Sequence, residues 1–140
     1  MNRIRIVLDT NVVVSAYLND AGFERYVVDL VLAGRLEFAV SEEILEEYGA
    51  VLRRPKFGLD PKMLARSLRL LRSRARVVRP QKRLSEARDP DDNRFLECAH
   101  VARAHYLVTG NKRHFPKAWR QTLVVNAREL VEWIAPDLRR

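Results

Sequence analysis

Three acids and one polar turn in this chain are spaced so that they could share a site. Asp9 closes a short apolar run, Ile4, Ile6, Val7 and Leu8, which reads as a buried strand. An acid that ends a buried parallel strand sits at the carboxyl edge of the sheet, where open α/β folds place their ligands. Glu47 lies in a helical stretch, residues 42–53, with an apolar stripe of Ile44, Leu45, Tyr48, Val51 and Leu52. At roughly 100° per residue, Glu47 borders that stripe and Glu46 points almost opposite it. Asp92 stands at the amino end of another helical stretch, on the side of Phe95, Leu96, Ala99 and Ala102, while Glu97 points away. Asp91 is nearly as well placed as Asp92, and angle counting does not choose between them. The run Leu107-Val108-Thr109-Gly110-Asn111 ends a further strand in a small polar turn, where Thr109 and Asn111 can donate or accept.

Each residue also has a plainer reading. Asp9 or Thr10 suits a helix cap. Glu47 suits an amphipathic border, Asp92 a capping partner of Asp89, and Thr109-Gly110-Asn111 a tight turn. Taken singly, the plainer readings are stronger. Taken together, groups that each fall at a strand end or on the core side of a helix form an acidic pocket. Carboxylates held close repel one another and raise each other's pKa. A hard divalent cation relieves that repulsion, and oxygen donors describe Mg²⁺ or Mn²⁺ rather than zinc.

Charge supplies the second half of the reading. Twenty-six Lys and Arg against eighteen Asp and Glu give +8. Residues 61–85 hold nine basic side chains and no acid, among them Arg66, Arg69, Arg72 and Arg76. Such a surplus suits a polyanion through phosphate contacts, although a solvated helix face would look the same. An acidic metal pocket beside a basic patch points to metal-assisted phosphodiester hydrolysis.

The elements that must position these groups alternate. Strands are expected at 4–8, 36–40, 75–79, 105–109 and 122–126. Helices are expected at 12–18, 23–33, 42–53, 61–73, from Asp89-Pro90 to about 104, and at 127–134, with a loop over 80–88. Gly34 reads as a helix C-cap and Ser41 as an N-cap. Alternation of this kind implies a parallel sheet covered by helices, in one domain over residues 1–140. No run is long and apolar enough to span a bilayer. The N-terminus runs straight into the first strand, so no signal peptide is expected. Cys98 is the lone cysteine, which excludes an internal disulfide and makes the cytoplasm the expected location.

Four blocks in this order resemble the PIN-domain family, particularly its VapC-like ribonuclease toxins. They are Val7-Leu8-Asp9-Thr10-Asn11-Val12; Ser41 to Tyr48 with the following Val51 to Phe57; Asp89 to Ala99; and Leu107 to Pro116. The resemblance implies an α/β/α sandwich around a five-stranded parallel sheet ordered 3-2-1-4-5. It maps the family's acids onto Asp9, Glu47 and Asp92, which settles the choice against Asp91. Asn11, Thr109 and Asn111 then support the site, and Arg66, Arg69, Arg72 and Arg76 are expected to grip nucleic acid. It also implies an RNA substrate, 3′-hydroxyl and 5′-phosphate products, a Mg²⁺ or Mn²⁺ cofactor, a protein antitoxin and a homodimer. One departure stands out: many relatives carry aspartate where this chain has Asn111. The alternative reading is therefore a catalytically weakened RNA-binding or partner-binding module. Other chemistries lack their residues. There is no Gly-x-Ser-x-Gly elbow, no zinc spacing among His100, His105, His114 and Cys98, and no glycine-rich phosphate loop.

Overall fold

The computed structural model describes residues 3–80 and 92–138. In chain order the elements are β1 (Arg5–Leu8), α1 (Thr10–Leu18), α2 (Phe23–Leu32), β2 (Glu37–Val40), α3 (Glu42–Leu52), α4 (Pro61–Arg74), β3 (Ala75–Val77), α5 (Asn93–Ala102), β4 (Tyr106–Val108), β5 (Ala118–Trp119), β6 (Thr122–Val125) and α6 (Ala127–Leu138). Short 3-10 turns occupy Pro55–Phe57 and Lys112–His114.

The sheet order is β3-β2-β1-β4-β6-β5. The first five of these strands pair in parallel, which is the expected 3-2-1-4-5 arrangement with β6 as the fifth strand. A sixth strand was not expected. β5 contributes two residues, Ala118 and Trp119, paired antiparallel to β6. Two residues are too few to show alternation, so nothing in the sequence pattern marks it.

Consecutive residues of the central strands are buried: Ile6, Val7 and Leu8 in β1, Phe38, Ala39 and Val40 in β2. Burial without alternation means that both faces of the sheet are covered. Right-handed crossovers place α1 to α4 on one face, and the return from β3 over β2 and β1 to β4 carries α5 across the other. Accordingly α5 packs on β1, β2 and β4, while α6 packs on α2 and β4.

Local chemistry fixes where the elements start and stop. Ser41 Oγ accepts from the Ile44 amide at 3.2 Å and opens α3. Asp60 caps α4 ahead of Pro61 in the first turn. Gly34 takes φ +74° after α2, which lets Arg35 N–H reach Leu30 O at 2.8 Å and Gly34 N–H reach Val31 O at 3.0 Å. Asn126 and Glu129 cap each other's amides at the start of α6.

One expectation changes on α5. The described helix is Asn93–Ala102; the expected opening at Asp89-Pro90 and residues 81–88 of the expected loop lie outside the described residues. Glu97 does not point to solvent; it is 4% exposed. The buried residues of α5 run without a break from Phe95 to Ala99, so a count that assumes one wet face fails there. Among the described residues, no helix is long and apolar enough to cross a membrane.

Candidate active site

Register brings the two strand ends together. Leu8 of β1 lies opposite Val108 of β4, and Asp9 N–H donates to Val108 O at 2.9 Å. The next residues, Asp9 and Thr109, are therefore side by side at the carboxyl edge. Asp9 occupies the N-cap position of α1, but its side chain makes no cap hydrogen bond. The carboxylate instead receives the Thr109 hydroxyl on Oδ2 at 2.7 Å. Thr109 Oγ1 in turn accepts from the Asn111 amide at 2.9 Å, so its proton is committed to Asp9. Asn11 Oδ1 accepts from Gly110 N–H at 3.0 Å and ties the turn after β4 to the first turn of α1.

A buried phenol sets α3 against this edge. Tyr48 is fully buried, and its hydroxyl donates to Leu8 O at 2.5 Å. Burial pushes its pKa well above the ordinary value, which keeps the proton in place for that bond. Glu47, one residue earlier, is thereby carried to the pocket. Its Oε2 accepts from Thr10 Oγ1, and its Oε1 pairs with Arg94 Nη1 at 2.8 Å. Asp92 is delivered from the far side by the start of α5. Its Oδ2 is 3.3 Å from His114 Nδ1.

Asp9, Asn11, Glu47, Asp92 and Asn111 all line one cavity of about 720 Å³. Glu43, Glu46, Arg54 and Arg94 share its wall. Asp9 is 6% exposed, and its pKa is raised to about 6. Burial is the largest cause, followed among the raising effects by the charges of Asp92 and then Glu47; the Thr109 hydroxyl and the Thr10 amide oppose them. A buried acid repelled by two others is a site that gains from a cation, and hard oxygen donors suit Mg²⁺ or Mn²⁺. The donor set fits such an ion in kind. It is not closed around one point: among the described residues, no three Asp, Glu, His or Cys side chains converge to ligand distance. Both oxygens of Glu47 are engaged, one by Thr10 and one by Arg94.

The basic side chains fall elsewhere. Arg69 and Arg72 line a second groove, about 350 Å³, between α3 and α4, and Glu46 belongs to both cavities. Arg66 and Arg76 are exposed and line neither. Arg72 is paired with Glu42, Nη1 to Oε2 at 2.7 Å. Near the start of the chain Val12 and Val13 are core and Tyr17 is half-buried, whereas Phe23 and Tyr26 are exposed and line one groove.

Sequence reasoning passed over four groups here: Thr10 and Arg94, which hold Glu47; His114, which faces Asp92; and Tyr48, which anchors α3. An apolar stripe gives Tyr48 away as core but carries no sign of its hydroxyl's partner. Arg94 follows Asp92 by two residues, and that closeness was the available signal.

Comparisons with known proteins bear on the family and the fold. The family model described as PIN domain matches residues 5–113. The uncharacterized protein MJ1680 of Methanocaldococcus jannaschii is 31% identical over 116 residues, spanning 79% of this chain and 72% of its own length. Among solved structures, VapBC2 from Rickettsia felis, crystallised with a DNA fragment from its promoter, is similar in fold. That match has a TM-score of 0.55 and 19% identity, and covers 88% of this chain and 98% of the other.

Proposed function

The chain belongs to the PIN-domain family, and from that premise we propose that it is a metal-dependent ribonuclease that hydrolyses RNA phosphodiesters, with Asp9, Glu47 and Asp92 as its working acids. The observation that carries this reading is Asp9: a nearly buried carboxylate, its pKa raised to about 6, facing two further acids in one cavity at the carboxyl edge.

Asp9 and Asp92 are the residues to hold Mg²⁺ or Mn²⁺, with Glu47 joining them directly or through water. Bound there, the ion supplies positive charge to the phosphate oxygens and acidity to water. The remaining work belongs to the chain. Thr109 orients Asp9 by donating to Oδ2. Thr10 and Arg94 hold Glu47 at the cavity wall, from which it accepts a proton from the attacking water. Asn11, together with Gly110 and Asn111, keeps the two strand ends in register. Arg69, with Arg66 and Arg76 further out, contributes backbone contacts to the RNA, and Arg72 does so to the extent that Glu42 releases it.

The likeness to VapBC2 supports a further assignment, that of the toxin half of a toxin–antitoxin pair acting in the cytoplasm. Phe23 and Tyr26 line a groove of about 410 Å³ with Val131 and offer apolar surface to an antitoxin or to a second copy in a homodimer. The competing reading, a weakened binding module, rests on Asn111, a neutral amide on the cavity wall where an acid would add charge.

Purified protein incubated with varied RNAs in Mg²⁺, in Mn²⁺ and in EDTA tests the proposal. Cleavage is expected with either ion and none in EDTA. Asp9→Asn is expected to stay folded and to lose cutting on the order of a thousandfold. Undiminished cutting by that variant, with contaminating nuclease excluded, refutes the nuclease assignment. Folded protein that binds RNA but takes up no metal supports the binding module instead.

A further inference from the structure

Two consecutive arginines at the end of α3 enter different cavities. Arg53 is the C-cap of α3, and Arg54 precedes the 3-10 turn Pro55–Phe57. Both are exposed. Arg54 lines the cavity of about 720 Å³ that holds Asp9, Glu47 and Asp92, and Arg53 lines the groove of about 350 Å³ between α3 and α4. Helix geometry is the cause. Neighbours along a helix point about 100° apart, whereas residues seven apart fall in one row. Arg54 extends the row of Glu47, Ala50 and Val51, and Arg53 that of Glu46 and Gly49. Each row begins on an acid and ends on an arginine about 10 Å further along the axis, at 1.5 Å per residue.

Arg72 and Arg94 are held by carboxylates on α3. Arg53 and Arg54 are not: among the described residues, neither guanidinium has a hydrogen bond or an ion pair. Arg53 instead lies against α3 over Gly49. A Cβ built on Gly49 would fall 2.5 Å from Arg53 Nη1, and the three atoms nearest to it all belong to Arg53. Glycine weakens a helix interior; here its missing methyl leaves the space that the guanidinium takes. Cations at a helix C-terminus also answer the helix dipole. That role needs neither side chain to reach a cavity, and it does not account for their division between two.

Resting on the nuclease reading of the acidic cavity, we propose that Arg53 and Arg54 steer single-stranded RNA across the C-terminal end of α3, from that cavity into the α3–α4 groove. Arg54 grips a phosphate beside the acids, with a planar fork that fits two of its oxygens. Arg53 takes a phosphate further along and passes the strand to Arg69 in the same groove. A path that turns over one helix suits a flexible single strand, whose bases and phosphates can follow a bent groove.

Fluorescence anisotropy of end-labelled, mixed-sequence single-stranded RNA tests the path, with the full-length protein in EDTA so that the RNA stays intact. Two RNAs are compared, about four and about twelve nucleotides long, within the range that single-strand grooves cover. Arg54→Ala is expected to weaken binding of both RNAs about fivefold at low salt. Arg53→Ala is expected to weaken the long RNA about threefold and to leave the short one unchanged. On the long RNA each variant should lower the slope of log affinity against log salt by about 0.7, the loss of one single-strand phosphate contact. Lysine at either position should restore that slope. If an alanine variant fails to fold by circular dichroism, 4-thiouridine crosslinking of the long RNA to wild type carries the test, with crosslinks expected in residues 49–72. Crosslinks confined to other faces overturn the path. So do unchanged affinity and slope in folded variants that have lost only stability to denaturant, which is the helix-dipole role, and so does an equal loss on both lengths for Arg53→Ala. Wild type that binds neither RNA at low salt overturns it as well. Cutting of the long RNA in Mg²⁺ is read separately. Wild type that cuts while the variants bind unchanged keeps the nuclease reading and loses the path. Wild type that shows the expected binding pattern but cuts with neither Mg²⁺ nor Mn²⁺ keeps the path and assigns it to a binding module.

Discussion

The two faces of α3 carry charge in opposite ways. Towards β1 and α5, Asp9, Glu47 and Asp92 share one cavity, and Asp9 is almost wholly buried. Towards α4, Arg69 and Arg72 line an open groove in water, and Arg72 already has Glu42 as its counter-ion. Like charges out of water interact strongly, whereas exposed charges are screened within about 8–10 Å. The same kinds of side chain therefore act as chemistry on one side of the helix and as surface on the other. Single changes should be large and ion-dependent in the cavity, and small and salt-dependent in the groove.

The largest effect belongs to Asp9. Its pKa is 3.8 in the unfolded chain and about 6 in the folded one. The folded state therefore holds the proton more tightly. The stabilisation from that proton is complete below pH 3.8 and is lost as the pH rises through about 6. The metal-free protein should lose stability across that window, by about 3 kcal/mol for a shift of this size. Asp9→Asn should remove the dependence, melting higher than wild type at pH 7 and showing no such gain near pH 4. Millimolar Mg²⁺ should reverse the order at pH 7, because only wild type gains from the ion. Thermal melts of both proteins over this range, with and without Mg²⁺, check the claim. Identical pH profiles would put Asp9 on the screened side of the comparison.

How much of this could be read from the chain follows the same division. Asp9 was legible because a buried strand that stops on an acid needs only local pattern. The parallel alternation, the Ser41 cap and the Gly34 stop were legible for the same reason, since each is satisfied within a few residues. The strand order came from family resemblance, because no local pattern says which strands are neighbours. Arg94 stood close to Asp92 in sequence, but its pairing with Glu47, like that of Thr10, was illegible: Glu47 is on another helix, and helix spacing predicts faces, not meetings between faces. Glu97 was misread because α5 is buried almost throughout its middle, so the assumption of one dry stripe does not hold. The two-residue β5 falls below the length at which any period can be seen.

Thr109 gives an effect of intermediate size that sharpens the cavity side. Its hydroxyl donates to Asp9 and holds that acid's pKa down against burial. Thr109→Val keeps the volume and removes the donor. Asp9 should then protonate at higher pH, so the midpoint of Mn²⁺ binding against pH should move upward. Losing a buried hydrogen bond should also cost about 1–2 kcal/mol of stability above that midpoint, where Asp9 is charged, and less below it. Mn²⁺ titrations at stepped pH read the first effect and denaturant unfolding the second. An unmoved midpoint would mean that Asp9 owes its ionisation to something other than Thr109.

The smallest effects belong to the α4 side, and their ranking is the finer test. Arg66→Ala, Arg69→Ala and Arg76→Ala should each raise the KM for RNA about two- to fivefold at low salt, with kcat little changed. The difference should shrink as salt is added, since exposed phosphate contacts are screened. Arg72→Ala should do less than Arg69→Ala, because Glu42 already occupies its fork. Glu42→Gln should act in the opposite direction, lowering KM by freeing Arg72 for phosphate. Cleavage assays across a salt series compare all five. If Arg72→Ala proves the most harmful and Glu42→Gln harms as well, the pair is a unit of the binding surface, and counter-ion pairing on this side of α3 positions the arginine for RNA rather than withholding it.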